Sequence, residues 1–157
     1  MKGRGGPDVL VVDGDPFTAE KIRQNLKALG ISMAEAPDTS AGLAMVHELK
    51  PPLILIDSDA PGRGGSDRLC RQIIQLDPTA KIILLSSRPY KPGSALPVED
   101  ESGALAKISK PPSLLVLSDL MKALLPEFPK SSTHLKTTPW LDSIQAKEEV
   151  SKEEERK

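Results

Sequence analysis

Five short apolar runs recur along the chain, each with the length of a β-strand. The third run, "PPLILID", places Leu and Ile at consecutive positions, so both faces of that strand are apolar. Strands buried on both faces are typical of a parallel sheet that is covered by helices. The five strands are predicted at positions 8–12, 31–36, 51–57, 81–87 and 104–109.

Helical patterns lie between these runs. Asp15 followed by Pro16 is typical of an N-cap with a first-turn proline, and the apolar positions after it are spaced for a helix that stops at Gly30. Thr39 or Ser40 is the predicted cap of the second helix. The alternation predicts an α/β fold, a doubly wound five-stranded parallel sheet with right-handed crossovers and helices on both faces. The helices are predicted at positions 15–30, 39–49, 66–76 and 111–125, the last beginning with first-turn prolines.

The connection between the fourth and fifth predicted strands has a different composition. Residues 88–103 contain Pro89, Pro92 and Pro97. Each proline removes a backbone donor and resists continuation of a helix. At most one short helix is therefore predicted in this connection.

Composition also divides the chain into three parts. Residues 1–7 are predicted to be a flexible lead-in and residues 8–125 to be the folded domain. From position 126 the chain is rich in Lys, Ser, Thr and Glu, which predicts a charged, disordered tail over residues 126–157. One amphipathic turn within that tail is the alternative, built from Trp140, Leu141 and Ile144.

Charge and cysteine content narrow the classes of partner. The 157 residues carry a formal net charge of −1, so the chain lacks the basic field that drives binding to phosphate backbones, and nucleic acid is not expected as a partner. Cys70 is the only cysteine, which excludes an internal disulfide and a cysteine-rich zinc site. The first apolar stretch is too short for a signal peptide or a membrane span. A cytoplasmic protein without a membrane partner is predicted.

Polar side chains stand at the carboxyl ends of four predicted strands. In an open parallel sheet these ends meet at one edge, where ligands bind. Clustered carboxylates repel one another and are best stabilised by a hard divalent cation such as Mg²⁺. A carboxylate can also attack phosphorus to give an aspartyl phosphate, whose phosphoryl oxygens a lysine and a hydroxyl stabilise. The candidate groups are Asp13 and Asp15, Asp57 and Asp59, Ser86 and Ser87, and Lys110.

Three segments resemble the receiver domain of two-component response regulators. The segment "ILIDSDAPGRGG" is similar to the phosphoacceptor segment of that family, "LLSSR" to its hydroxyl segment and "SKPP" to its Lys-Pro segment. With the aspartate after the first strand, the motifs occur in the family's order over residues 8–125. The resemblance implies a flavodoxin-like fold with strand order 2-1-3-4-5.

The same resemblance implies roles for individual residues. Asp57 would accept a phosphoryl group from a histidine kinase or a phosphotransfer protein, and the protein would assist its own phosphorylation and dephosphorylation without being an enzyme. Asp13 and Asp57 would help to hold Mg²⁺, and the backbone carbonyl of Asp59 would complete the metal shell. The phosphoryl oxygens would be bound, and the adjoining loops shifted, by Ser86, Ser87 and Lys110.

Two positions depart from the family's pattern. The family carries two adjacent acids after the first strand, where this chain has Asp13 and Gly14, so the usual direct metal ligand is missing. Asp15 is a candidate substitute, although its place before a proline favours an N-cap role. Lys107 lies where the family often has an aromatic switch residue. Metal affinity and the usual output surface are therefore open at this point.

Three functions compete. The first is a single-domain response regulator or phosphorelay protein that signals by protein contact, because no output domain follows position 125. The second is a degenerate receiver that binds partners without phosphorylation, a reading that Gly14 favours. The third, a phosphohydrolase of the haloacid dehalogenase type, has its Asp-x-Asp motif in "DGD" and "DSD", but the further acidic pair that it needs does not follow Lys110.

Overall fold

The computed structural model describes residues 6–87, 95–97, 102–125 and 128. Strands and helices alternate along this part of the chain. The helices are α1 (Pro16–Ala28), α2 (Thr39–Leu49), α3 (Gly65–Leu76) and α4 (Leu114–Leu124). The strands are β1 (Val9–Val12), β2 (Met33–Ala36), β3 (Leu53–Asp57), β4 (Lys81–Ser86), β5 (Ala95–Pro97) and β6 (Ala106–Ser109).

One sheet contains all six strands, in the order β2-β1-β3-β4-β6-β5. The first five in this order are parallel and correspond to the five predicted strands, so the predicted sheet and its 2-1-3-4-5 order are confirmed. The register places Val12 beside Ile56 and Ile56 beside Leu84. The carboxyl ends of the central strands therefore lie side by side at one edge.

The short strand β5 was not predicted. It pairs antiparallel with β6 at the edge of the sheet, with Leu96 opposite Lys107. A run of three residues is too short to show a period, and Pro97 in it argues against a strand except at an edge. Because β5 covers β6, Lys107 lies in an interior strand, between Leu84 and Leu96.

Helix α1 begins and ends as predicted. The carboxylate of Asp15 accepts the N–H of Phe17 at 3.0 Å, and Pro16 is the first helical residue. At the other end Gly30 adopts a φ of 76°, a backbone conformation that favours glycine. This conformation lets the N–H of Ile31 reach the carbonyl of Leu26 at 2.9 Å, which closes the last turn.

The cap of α2 differs from the prediction. Asp38, rather than Thr39 or Ser40, is the N-cap, and its carboxylate accepts the N–H of Ala41 at 2.8 Å. A carboxylate is as good a cap as a hydroxyl, so residue type alone does not separate Asp38 from Thr39 and Ser40. The helix therefore begins at Thr39, one residue after its cap.

The start of α4 also differs. The predicted first-turn prolines, Pro111 and Pro112, precede the helix instead of opening it. Ser113 is the N-cap, because its hydroxyl accepts the N–H of Val116 at 3.2 Å. The two prolines thus belong to the loop between β6 and α4.

The core has one layer on each face of the sheet. Helices α1 and α4 cover one face, and α2 and α3 cover the other. Successive side chains of a strand alternate between the two layers, as Val11 and Val12 do in β1. Each fully buried Leu or Ile contributes about 1.5 to 3 kcal/mol, so the central strands anchor the fold.

Some predictions fall on residues outside the described ranges. These are most of the lead-in, most of the connection over residues 88–103 in which at most one short helix is predicted, and, apart from Phe128, the tail with its turn around Trp140. The domain boundaries at 1–7, 8–125 and 126–157 stay predictions. Within the described ranges, no helix has the length and apolar character that crossing a membrane requires.

Candidate functional site

Three charged side chains meet at the carboxyl edge of the sheet. Asp13 follows β1, Asp57 ends β3 and Lys110 follows β6. The Nζ atom of Lys110 lies 3.0 Å from Oδ2 of Asp57 and 3.5 Å from Oδ2 of Asp13. The ammonium group therefore bridges the two carboxylates.

Strand alternation explains why these three side chains share a face. Val11, Leu55 and Ile108 all pack in the layer formed with α1 and α4. The side chain two positions further along each strand points to the same face. Those positions are 13, 57 and 110.

Both carboxylates are held by the backbone that follows them. The N–H of Asp15 donates to Oδ1 of Asp13 at 2.8 Å, and the N–H of Asp59 donates to Oδ1 of Asp57 at 3.0 Å. One oxygen of each carboxylate is thus occupied by its own loop. The other oxygen, Oδ2, is turned toward Lys110 in both cases.

Burial makes this cluster electrostatically sensitive. Asp13 and Asp57 are only 4% and 5% exposed. Burial raises the pKa of Asp13, and the negative charge of Asp57 raises it further, against the opposing effects of the Asp15 N–H and of Lys110. Burial alone would lower the pKa of Lys110, but the hydrogen bond to Asp57 and the charge of Asp13 outweigh it and raise that pKa. Lys110 is therefore firmly held as an ammonium ion.

The donor set fits a hard divalent cation, with fewer ligands than a dedicated metal cage. The Oδ2 atom of Asp13 is buried and accepts no hydrogen bond, and its contact with Lys110 is an ion pair at 3.5 Å. A buried carboxylate oxygen in that state is a ready ligand for Mg²⁺. No group of three or more His, Cys, Asp or Glu side chains suited to a metal occurs among the described residues. Two carboxylates and backbone oxygen are what the pocket offers.

The other predicted site residues stand at the margin of this pocket. Ser86 ends β4 and is buried, but it follows Leu84 in the layer of α2 and α3, so alternation places it on the opposite face from Asp57. Ser87 and Asp59 are exposed. Of these three residues, Ser86 is the one that belongs to the sheet.

Asp15 serves the helix. Its two carboxylate oxygens accept the N–H of Phe17 and, at 2.8 Å, the hydroxyl of Thr18. The Thr18 bond, and after it the Phe17 bond, lower the pKa of Asp15. Both oxygens are used as an N-cap, so Asp15 is poorly placed to replace a missing metal ligand.

Gly14 packs against Pro61 in the β3–α3 loop and against the backbone of Pro37. A Cβ built at this position would lie 3.1 Å from two ring atoms of Pro61 and 3.3 Å from the carbonyl oxygen of Pro37. Its backbone φ is outside the left-handed region, so a side chain here requires only a small shift of these neighbours. The second acid is therefore absent only because position 14 is glycine, and the backbone there could accommodate an aspartate after a small shift of its neighbours.

The β3–α3 loop, which carries the Asp59 carbonyl, is fixed against α2. The N–H of Thr39 donates to the carbonyl of Pro61 at 2.9 Å. Gly62 has a φ of 138°, and a Cβ there would overlap the side chain of Thr39. The loop can approach α2 this closely because position 62 is glycine.

Two features beside the pocket were not predicted. The side-chain amide of Asn25 on α1 donates to the carbonyl of Pro112 at 3.3 Å, a contact between positions 87 residues apart. Three apolar side chains near the pocket are exposed, a state that hydrophobic spacing does not reveal. They are Phe17 at the start of α1 (74% exposed) and Leu114 and Leu115 at the start of α4 (45% and 53%).

Comparisons with known proteins agree with this architecture. A family model described as the response regulator receiver domain matches residues 9–121. The DNA-binding response regulator MtrA of Mycolicibacterium smegmatis is 36% identical over 103 residues, which are 66% of this chain and 43% of that protein. The transcriptional regulatory protein AfsQ1 of Streptomyces coelicolor is 31% identical over 127 residues, 81% of this chain and 55% of that protein. The chain thus spans about half the length of these relatives.

A solved structure shows the same fold. The CheY-like response regulator receiver domain protein from Methanospirillum hungatei superposes with a TM-score of 0.63 at 24% identity, covering 75% of this chain and 92% of that one. At this identity the match concerns the fold alone. It supports the flavodoxin-like arrangement that the resemblance implied.

One prediction about partners was wrong. The near-neutral charge led to the expectation that nucleic acid is no partner, but MtrA, one of the matched relatives, is a DNA-binding response regulator. The match covers only the receiver part of such proteins, 43% of MtrA. A near-neutral charge over the matched part therefore does not by itself exclude nucleic acid as a partner.

Proposed function

The chain belongs to the response regulator receiver domain family, and on that basis we propose that Asp57 accepts a phosphoryl group from a phosphohistidine on a kinase or phosphotransfer protein. The observation that carries this proposal is the Lys110 ammonium held 3.0 Å from a buried Asp57 carboxylate. A nucleophilic carboxylate and a fixed cation are what acceptance of a phosphoryl group requires.

In the proposed step an oxygen of Asp57 forms a bond to phosphorus while the bond from phosphorus to the donor's imidazole nitrogen breaks. The electron pair of the broken bond returns to the imidazole. Oδ1 of Asp57 is held by the N–H of Asp59 at 3.0 Å, so the carboxylate is oriented before the donor arrives. Lys110 then stabilises charge on the phosphoryl oxygens.

Receiver domains generally bind Mg²⁺ at their acidic pocket. Here Asp13, Asp57 and the backbone carbonyl of Asp59 are the residues that would hold it. When bound, the ion supplies neutralisation of phosphoryl charge. Oδ2 of Asp13, which is buried and accepts no hydrogen bond, supports this assignment. Gly14 predicts that the affinity is weak.

Ser86 and Ser87 are the proposed hydroxyl partners of the phosphoryl group. The carbonyl of Ser86 accepts the N–H of Lys110 at 2.9 Å, so β4 and the lysine loop are joined directly beside Asp57. Strand alternation places the Ser86 hydroxyl on the face opposite Asp57, so it reaches the phosphoryl group only if the end of β4 turns, and that movement displaces the carbonyl that is bonded to Lys110. This coupling is how phosphorylation would shift the adjoining loops.

The exposed apolar side chains support a protein donor. Phe17 lies two residues after the cap of α1, and Leu114 and Leu115 lie just after the lysine loop. Exposed large apolar groups beside a reactive site are typical of a surface that a partner covers. A small phosphodonor needs no such surface.

Gly14 favours a second candidate, a receiver that binds partners without being phosphorylated. The proposals differ in whether Asp57 is chemically reactive. Intact-mass measurement after incubation with Mg²⁺ and a small acyl phosphate separates them: the wild type should gain the mass of one phosphoryl group and Asp57→Ala should gain none. Asp67→Asn is the matched control, since Asp67 is an exposed aspartate in the first turn of α3 and is not part of the site. A wild type without added mass, beside a working control receiver, would favour the second candidate.

A further inference from the structure

Two hydrogen bonds hold the segment from Lys110 to Pro112. The backbone N–H of Lys110 donates to the carbonyl of Ser86 at 2.9 Å, which links Lys110 to β4. The two residues that follow are prolines and have no N–H to donate. The carbonyl of the second one, Pro112, accepts the side-chain amide of Asn25 at 3.3 Å. Ser113 then caps α4.

Helix α1, which contains Asn25, also contacts the loop of Asp13 through its N-cap. Asp15 caps α1, and its N–H donates to the carboxylate of Asp13 at 2.8 Å. Helix α1 is therefore linked to both sides of the pocket. Asp15 links it to the loop of Asp13, and Asn25 links it to the loop that follows Lys110.

From these contacts we propose that Asn25 is a positioning residue for Lys110. Its amide fixes the β6–α4 loop to α1, and this keeps the ammonium between the two carboxylates. Asn25 acts through the backbone of Pro112, two residues from Lys110, and not on the phosphoryl group itself. The inference deepens the proposed function and rests on it for its effect on phosphorylation.

The variant Asn25→Asp tests this link with little change of shape, because a carboxylate replaces the amide and cannot donate to the carbonyl of Pro112. Loss of the hydrogen bond from Asn25 to Pro112 should slow phosphorylation of Asp57 by about two- to ten-fold. Asn25→Asp should still bind Mg²⁺ in the pocket, a result that general loss of structure would not give. Gln24→Ala is the control, since Gln24 is an exposed neighbour on the same helix whose amide contacts Glu20 at 3.4 Å.

A double-mutant cycle with Lys110→Ala distinguishes positioning from a general structural role. If Asn25 acts through Lys110, Asn25→Asp should have no further effect on the phosphorylation rate once the lysine is gone. Two independent effects would multiply instead, and that result would overturn the proposal. Asn25→Ser is the second variant to use if Asn25→Asp does not fold.

A second measurement does not need phosphorylation. The Lys110 side-chain resonances in isotopically labelled protein report how tightly the ammonium is paired. They should move toward the positions of exposed lysines in Asn25→Asp and stay in place in Gln24→Ala. A wild type that accepts no phosphoryl group, with Lys110 resonances that still move, would refute the proposed function and support the positioning role. Unmoved resonances would refute the positioning role.

Discussion

Restoring the missing acid is the most direct test of how this pocket departs from its family. In Gly14→Asp a third carboxylate is placed next to Asp13, at the position where the family carries its direct metal ligand. The new Cβ lies 3.1 Å from the ring of Pro61, so the neighbouring loop shifts by a few tenths of an ångström. The cost of this adjustment is the same with and without bound metal, so it has little effect on the affinity for Mg²⁺.

The expected gain follows from charge. A carboxylate about 4 Å from a divalent ion contributes about 2 kcal/mol at a water-like dielectric constant of about 80, which is an increase in affinity of about 30-fold. The same carboxylate is repelled by Asp13 and Asp57 when no metal is bound. Gly14→Asp should therefore be less stable than the wild type without Mg²⁺ and gain more stability when Mg²⁺ is added.

Calorimetric titration with Mg²⁺ measures the affinity, and the amide resonance of Asp59 shows whether the ion enters the pocket. Gly14→Asn is the matched control, because it has the same shape and the same contact with Pro61 but no charge. Equal affinities for the Asp and Asn variants would refute the reasoning, since charge would then not limit metal binding here. An affinity of the Asn variant close to that of the wild type would show that the contact with Pro61 has little effect.

Three further results are expected. Lys110→Ala should lower the free energy of unfolding by about 3 to 5 kcal/mol in urea titrations at neutral pH, because two buried carboxylates lose their cation. Mg²⁺ should recover part of the loss. Asp119 on α4 is 6% exposed, and burial raises its pKa despite Lys122. The folded state thus keeps the Asp119 proton to a higher pH than the unfolded state, and at neutral pH the buried carboxylate destabilises the fold. Asp119→Asn should therefore stabilise the protein at neutral pH. Thermal melts should show that this gain disappears below about pH 3.8, the ordinary pKa of the group. Gly62→Ala should destabilise the protein by at least about 2 kcal/mol in urea, because a Cβ there meets Thr39, and a wild-type midpoint would contradict that packing.

The elements that could be predicted are those with a strong local signal. The continuous aliphatic run of β3 and the Asp15-Pro16 start of α1 both fix their element without help from distant residues. The order of the five parallel strands followed from the family resemblance, because periodicity alone does not choose between sheet orders. The convergence of Asp13, Asp57 and Lys110 was predicted from their places after predicted strands, because the carboxyl ends of parallel strands meet at one edge of the sheet.

What could not be predicted depends on tertiary contacts. Strand β5 exists because three residues find a partner in β6, and nothing in their own pattern shows this. The contact between Asn25 and Pro112 joins α1 to a loop late in the chain, and an asparagine within a helical pattern gives no sign of it. Asp38, Thr39 and Ser40 are about equally good N-caps, and Asp38 is the one whose backbone is extended at the start of α2.

The charge balance of the pocket explains how a receiver with glycine at position 14 keeps its acidic site. Two carboxylates and one ammonium leave one net negative charge, whereas a second acid at position 14 would leave two. Lys110 therefore neutralises a larger share of the pocket than it would in a chain with both acids, and less of its stability depends on a metal ion. On the proposed function, Mg²⁺ would then contribute less to the stability of the pocket and more to neutralising the incoming phosphoryl group. It follows that stability without metal and reactivity toward a phosphodonor should respond differently to the same change at position 14: an added acid lowers the first and raises the second.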